Sequence, residues 1–319
     1  LNWLGINNLV GHAELDSVSH ETLKQVHGDE HATSFFSLHS LRSRYSVTAF
    51  FAVKFFLLLS FTSFSQNPII IAHRGASAYA PENTISAFEK AIEMGAIVIE
   101  TDVHQTNDSV VVIMHDLSVD RTTYRKGLIK DISSKDFKEL IIKTRQSNKR
   151  SRRKYQVVEQ LYRPPTLEEA IIAINGRCKL LIELKKGNSY YPNIEKHIVD
   201  LIAKYNAQSW ISTIHSFEKE PLMNIAKRDS SINLQKLIVF NLPLVSFNFD
   251  KHFNKDDFKN WEGVNVYYKF CSKRVIRKIH KLGKTVYVWT VNSPRKARKL
   301  AKRGVDGIIT NKPDILSLK

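Results

Sequence analysis

The chain has 319 residues, 43% of them hydrophobic, enough to bury a substantial core, which excludes a disulfide-stapled mini-domain and a disordered polymer. It carries 48 Lys and Arg against 31 Asp and Glu, a formal charge of +17, and the surplus lies beyond residue 66, because the first 66 residues hold four basic and five acidic groups. Such a surplus favours anionic surfaces or substrates without choosing among nucleic acid, lipid headgroups and small phosphate esters.

In chain order, the first distinctive stretch is YSVTAFFAVKFFLLLSFTSFSQ at 45–66. Arg42 and Arg44 precede it, an apolar core fills 55–61, and Ser63 and Ser65 stand just ahead of Gln66. That three-part layout predicts an N-terminal extension over 1–66 whose 45–65 segment is an export signal, giving a periplasmic or extracellular protein; a retained membrane anchor is the alternative. The stretch sits far from Leu1 and the first methionine is Met94, so a start within 41–54 is expected. The early histidines (His12, His20, His27, His31 and His39) have no ligand-like spacing. Cys178 and Cys271 are too few for a disulfide framework and read as buried thiols, with a single bridge as the alternative in an exported protein.

From Asn67 the pattern becomes regular. Strands are predicted at 69–72, 97–102, 109–114, 179–184, 210–214, 236–240, 263–267, 285–289 and 305–309, and helices at 83–94, 166–174, 191–205, 217–227, 271–281 and 293–302. Several strands are nearly continuous apolar runs, as in a parallel sheet covered on both faces. Repeated strand–helix alternation predicts an α/β fold, a closed (β/α)8 TIM-type barrel over 67–319, with a doubly wound sheet as the alternative. Nine candidate strands are one too many, and the link from the second to the third is too short for a crossover helix, so that corner is expected to be an antiparallel excursion or a unit without a helix. Residues 116–165 read as an insertion. It contains KTRQSNKRSRRK at 143–154, seven basic residues and no acidic one, a solvated run or a weak contact for an anionic membrane. Without interleaved aromatics or a recognisable nucleic-acid motif, no nucleic-acid partner is expected. The basic helix at 293–302 reads as an outer barrel helix with a wet face.

Ionisable residues gather at the predicted strand ends: His73 and Arg74 after the first, Glu100 and Asp102 on the second, His115 and Asp116 after the third, Glu183 and Lys185 on the fourth. In an α/β barrel these C-terminal ends share one rim. The i, i+2 spacing puts Glu100 with Asp102, and Glu183 with Lys185, on common faces. Three converging carboxylates would repel one another unless a hard divalent cation, Mg2+ or Ca2+, lay between them. Arg74 and Lys185 would then face phosphoryl oxygens, and His73 and His115 have the pKa range for proton transfer. His215, ending the fifth strand, is placed to touch substrate, and His104 is given a structural or rim role.

The ordered segments HRGASAYAPENTISAFEKAIEMGA, IETDV, VVIMHD, RTT, IELK, WTVN and GVDGIITNKP closely resemble the glycerophosphodiester phosphodiesterase family over about 68–315. The resemblance implies a barrel enzyme in which His73 and His115 form the acid–base pair and Glu100, Asp102 and Glu183 hold one divalent cation. It implies that Arg74 and Lys185 contact phosphate, that Glu82 and Asn83 shape the pocket, that Trp289 walls it and that the inserted segment at 116–165 caps the barrel. The expected reaction is hydrolysis of a small glycerophosphodiester to glycerol 3-phosphate and an alcohol, with His73 as base and His115 as acid. A lysophospholipid-cleaving enzyme of phospholipase D type using the same site, a phosphatidylinositol-specific phospholipase C relative and a non-catalytic phosphodiester-binding barrel are the alternatives. Ser109 departs from the family's usual glycine before the third strand, and Asn311 from its usual acidic residue after Thr310; both bear on the pocket rim.

Overall fold

The computed structural model describes residues 67–144, 161–238 and 260–317. The 45–65 stretch and all but Lys143 and Thr144 of the basic run lie outside the described residues. The strands are β1 (Ile69–His73), β2 (Val98–Gln105), β3 (Val111–Ile113), β4 (Lys179–Leu184), β5 (Ile211–Ser216), β6 (Leu234–Ile238), β7 (Gly263–Tyr267), β8 (Thr285–Trp289) and β9 (Gly307–Thr310). Helices follow in chain order as α1 (Ile85–Glu93), α2 (Ser134–Lys138), α3 (Leu167–Ile174), α4 (Ile194–Lys204), α5 (Lys219–Arg228), α6 (Lys273–His280) and α7 (Pro294–Ala301).

The sheet order β1-β9-β8-β7-β6-β5-β4-β2-β3, with β1 also paired to β2, closes a barrel of eight parallel strands. The ninth strand is β3, which runs antiparallel to the outer end of β2, Val103 opposite Ile113 and Gln105 opposite Val111. The short link therefore makes a hairpin. Its turn puts Ser109 at φ 67°, the left-handed region where glycine is the easier residue.

Alternation along the barrel strands sorts two layers. Outward residues such as Ala72, Ile99, Ile182, Val264, Val286 and Ile308 are buried with the helix residues Phe88, Ile171, Ile198, Leu222, Ile276 and Leu300. Inward, Ile71, Val98, Leu181 and Ile309 form a separate apolar layer with Tyr287 and Trp289 against it. Inward glycines make room for this layer, since a Cβ on Gly307 would lie 2.6 Å from the Tyr287 ring. Helix starts are capped as their sequences suggest: Thr84 accepts from Ala87 N–H, and Thr166 and Glu169 form a reciprocal capping box. The described part of the insertion is a packed lobe rather than an open loop, with Val119, Ile129, Ile132, Phe137, Leu140 and Ile142 buried against Val112 and Met114. Cys178 and Cys271 are both free and buried.

Candidate active site

The C-terminal end of β1 is shaped by an unusual turn. Arg74 (φ 56°) and Gly75 (φ 77°) both adopt left-handed backbone, and a Cβ on Gly75 would lie 2.6 Å from the Ala87 carbonyl. Only glycine permits that approach. The turn aims the Arg74 N–H at Glu100 Oε2, 2.9 Å away.

Register then gathers the carboxylates: β1 pairs His73 with Glu100, β4 pairs Asp102 with Glu183, and β5 pairs Glu183 with His215. Glu100, Asp102 and Glu183 are 1%, 0% and 6% exposed. Lys185 Nζ lies 2.8 Å from Asp102 Oδ1 and 2.6 Å from Glu183 Oε1, and Arg74 Nε lies 3.2 Å from Asp102 Oδ2. The contacts to Asp102 are ion pairs without hydrogen-bond alignment. Asn83, left-handed at φ 57°, donates to Asp102 Oδ2 at 2.8 Å and accepts from Thr101 Oγ1 at 2.9 Å. Three buried carboxylates thus face two cationic side chains. Burial, then repulsion from Asp102 and Glu183, pushes Glu100 well above the usual carboxylate range. Burial also raises Glu183 to about 7, with Asp102 adding to the rise and Lys185 opposing it. Burial opposes ionisation of Asp102 too, but Lys185 and Arg74 outweigh it and hold its pKa well below the usual value.

His215 completes this cluster in a way the sequence did not announce. It is 1% exposed, its Nε2 lies 4.0 Å from Glu100 Oε1, and neither ring nitrogen has a hydrogen-bond partner. Burial, with Lys185 nearby, lowers its pKa to about 3, so the ring is neutral. Glu100, Glu183 and His215 each offer a donor atom within 4.8 Å of the other two. Excess negative charge and an orphaned imidazole both fit a divalent cation. Asp102, also expected among the ligands, lies against Lys185, Arg74 and Asn83, as Glu183 lies against Lys185.

The two catalytic candidates are held differently. His73 Nδ1 donates to Asn311 Oδ1 at 2.6 Å, leaving Nε2 as the unprotonated nitrogen, 4.0 Å from Glu100 Oε2. Burial, then Arg74, lowers the His73 pKa to about 4. His115 Nδ1 donates to Asp116 Oδ1 at 2.5 Å, an anionic acceptor. Burial lowers the His115 pKa too, against the pull of Asp102 and Asp116. His104 lies beneath: its Nε2 donates to the His115 carbonyl at 3.1 Å, so its Nδ1 accepts from Tyr191 O–H at 2.9 Å. The expected structural role is what it performs.

Glu82 contacts arginines. Its Oε1 accepts from Arg74 Nη1 at 2.9 Å and Arg121 Nη2 at 2.7 Å, while Oε2 accepts from Arg121 Nη1 at 3.1 Å. Arg121 also donates through Nε to Asp116 Oδ2. A continuous chain therefore runs Arg74–Glu82–Arg121–Asp116–His115, joining the β1 turn to the inserted lobe. Trp289, at the C-terminal end of β8, lies in an aromatic group with Phe217 (ring centroids 5.7 Å) and Tyr267 (5.6 Å). Asn311, Arg121, Phe217 and Tyr267 were not singled out from the sequence as site residues. Arg121 lay in the RTT segment, Asn311 figured only as a departure, and both aromatics stand near strand C-termini, which was the available signal.

Comparison with known proteins bears on the fold and the family. The model of the glycerophosphoryl diester phosphodiesterase family matches residues 73–315. The Bacillus subtilis protein YhdW is 36% identical over 247 residues, covering 77% of this chain and 96% of its own length. The glycerophosphodiester phosphodiesterase of Caldanaerobacter subterraneus subsp. tengcongensis is 31% identical over 249 residues, 78% of this chain and 96% of that protein. A solved Oleispira antarctica phosphodiesterase in complex with the product sn-glycerol-3-phosphate shares the fold at TM-score 0.63 and 24% identity, covering 80% of this chain and 97% of that one. Motif order, barrel closure and the extent of these matches lead to one conclusion: the chain belongs to the glycerophosphoryl diester phosphodiesterase family.

Proposed function

We propose that the chain hydrolyses small glycerophosphodiesters to glycerol 3-phosphate and an alcohol, with His73 as base and His115 as acid beside a divalent cation. The observation that carries the assignment is the asymmetry of the two imidazoles. A neutral amide oxygen holds Nδ1–H of His73, while a carboxylate holds Nδ1–H of His115. The carboxylate stabilises an imidazolium and the amide does not, so His115 is the ring more readily held protonated, with a proton to give, and His73 the one held neutral, with Nε2 open to take one.

Glu100, Asp102 and Glu183 would hold the cation, Mg2+ or Ca2+ on the sequence expectation. It would supply charge stabilisation to a phosphoryl oxygen. Arg74 and Lys185, aligned by Glu82, Asp102 and Glu183, face the remaining phosphoryl charge and stabilise it most as it grows in the transition state. His73 Nε2 takes the proton of the glycerol 2-hydroxyl, which attacks phosphorus in line. His115 Nε2 protonates the departing alcohol oxygen. Water then opens the cyclic diester with the two roles reversed, giving glycerol 3-phosphate. The Oleispira product complex supports that product class. Trp289, Tyr267 and Phe217 offer an apolar wall for the glycerol or alcohol carbons. An export signal over 45–65 would deliver this activity outside the cytoplasm.

The test is an assay of the purified protein on glycerophosphocholine, lysophosphatidylcholine and bis(p-nitrophenyl) phosphate, with and without chelator. Chelator-sensitive release of glycerol 3-phosphate from glycerophosphocholine is expected. Faster turnover of lysophosphatidylcholine would move the substrate reading to lysophospholipids.

A further inference from the structure

The cluster at the barrel mouth contains one group that the acid–base scheme does not use. His215 is buried at 1% exposure, projects inward beside Glu183, and leaves both ring nitrogens without a hydrogen-bond partner. A buried imidazole normally satisfies at least one nitrogen, so this one lacks a ligand rather than a neighbour. Serving as a packing residue does not explain it, because an apolar side chain would fill the space without an unmet polar group.

Geometry supplies the partner. His215 Nε2 stands 4.0 Å from Glu100 Oε1, and a Glu183 oxygen completes a set whose members all lie within 4.8 Å of one another. Donors at such spacings can share one ion at about 2.0–2.2 Å, subtending wide angles, with only small adjustments of the carboxylates. Lys185 lies against both Asp102 and Glu183 without separating them as ligands, whereas no hydrogen bond engages His215. Recruiting His215 therefore breaks none.

We propose that His215 ligates the cation through Nε2 together with Glu100 and Glu183, and that this nitrogen-containing donor set makes the site prefer Mn2+ to Ca2+. The proposal rests on the reading above that the barrel mouth holds a divalent cation. All-oxygen sites suit Mg2+ and Ca2+; an imidazole donor adds affinity for first-row transition ions and little for Ca2+. Water or a substrate oxygen would fill the remaining positions, as in other open catalytic sites.

The experiment uses the purified, chelator-stripped full chain without substrate. Electron spin-echo spectra of added Mn2+ report whether an imidazole nitrogen is bound, and calorimetric titrations with Mn2+ and Ca2+ report affinity. The wild type is expected to show nitrogen modulation. That modulation should vanish in His215→Gln and persist in His73→Gln, which controls for the other imidazole near Glu100. His215→Gln should lose roughly 10- to 100-fold in Mn2+ affinity and less than about 3-fold in Ca2+ affinity. Wild-type Mn2+ binding without nitrogen modulation, modulation that disappears only in His73→Gln, or equal affinity losses for the two ions would each overturn the proposal while leaving a cation at the site. Failure of the wild type to bind either ion would overturn both this proposal and the cation reading beneath it. Because the spectrum of the wild type is itself decisive, an unfolded His215 variant does not protect the proposal.

Discussion

Replacing Lys185 with methionine should weaken the barrel mouth in a way that low pH and cations both lessen. Lys185 is 13% exposed at its side chain, and its Nζ bridges Asp102 and Glu183 at 2.8 and 2.6 Å. Methionine keeps much of the length and apolar stem, so little packing is lost. What disappears is one of the two cations facing three buried carboxylates. Removing one partner of a buried pair costs about 3–5 kcal/mol, and in a domain of this size each kcal/mol moves the unfolding midpoint by about 2–4 °C, predicting a fall of about 6–20 °C. The sign of the pH dependence follows from Glu183, whose folded pKa is already raised to about 7 by burial and Asp102. A carboxyl raised on folding contributes stability that is complete below its unfolded value and is lost as pH rises through the folded one. The variant should therefore fall less far behind at pH 5, where Glu183 is protonated in both and only the pair with Asp102 is lost, and furthest behind at pH 8. Saturating divalent cation should restore much of the deficit at pH 8. Thermal unfolding of chelator-treated wild type and Lys185→Met, with and without cation at each pH, measures all of this. A deficit below about 2 °C at pH 8 without cation would mean that Lys185 is not balancing buried charge, and the electrostatic account of the site would fail.

His115→Ala should slow release of an alkoxide such as choline by roughly 10²- to 10⁴-fold but slow a p-nitrophenolate diester far less; comparable losses on both would remove His115 from the acid role. Asp116→Asn takes the anion from His115 Nδ1 and lowers its pKa further, so the alkaline limb of kcat/KM should move down by about one pH unit, and an unchanged limb would detach Asp116 from that proton. Serine at all seven basic positions of 143–154 should leave glycerophosphocholine turnover unchanged while weakening binding to phosphatidylserine vesicles at low salt; lost turnover with unaltered vesicle binding would assign the run to the substrate cap. Fusing residues 41–66 to a reporter that is active only after export should yield activity, and a retained, inactive fusion would refute the signal reading.

Much of this protein was legible from local pattern. Apolar runs bounded by turn residues located β4, β7 and β8 at their observed limits, because strand formation there depends on side chains within a few positions of one another. The pairing of Glu100 with Asp102 and of Glu183 with Lys185 followed from the two-residue period of extended backbone. The barrel itself followed from the strand–helix alternation, while the choice between an antiparallel excursion and a unit without a helix at the short second link was made by the pairing of β3 with β2.

The long-range contacts inside the site were decided only by tertiary structure. Asn311 meets His73 across 238 residues because β9 closes the barrel against β1, and no local property of Asn311 encodes that seam. Arg121 couples Glu82 to Asp116 because the inserted lobe folds back over the β1 turn, a packing outcome of its own small core. Glu82 looked like a pocket residue and became the link between two arginines. His215 is the clearest case. Its place beside Glu183 depends on a register shift between Leu180 and Leu181, where β5 accommodates an extra residue. Sequence period specifies which neighbours share a face along one strand; register with another strand specifies what that face meets, and register is set by how the whole barrel closes.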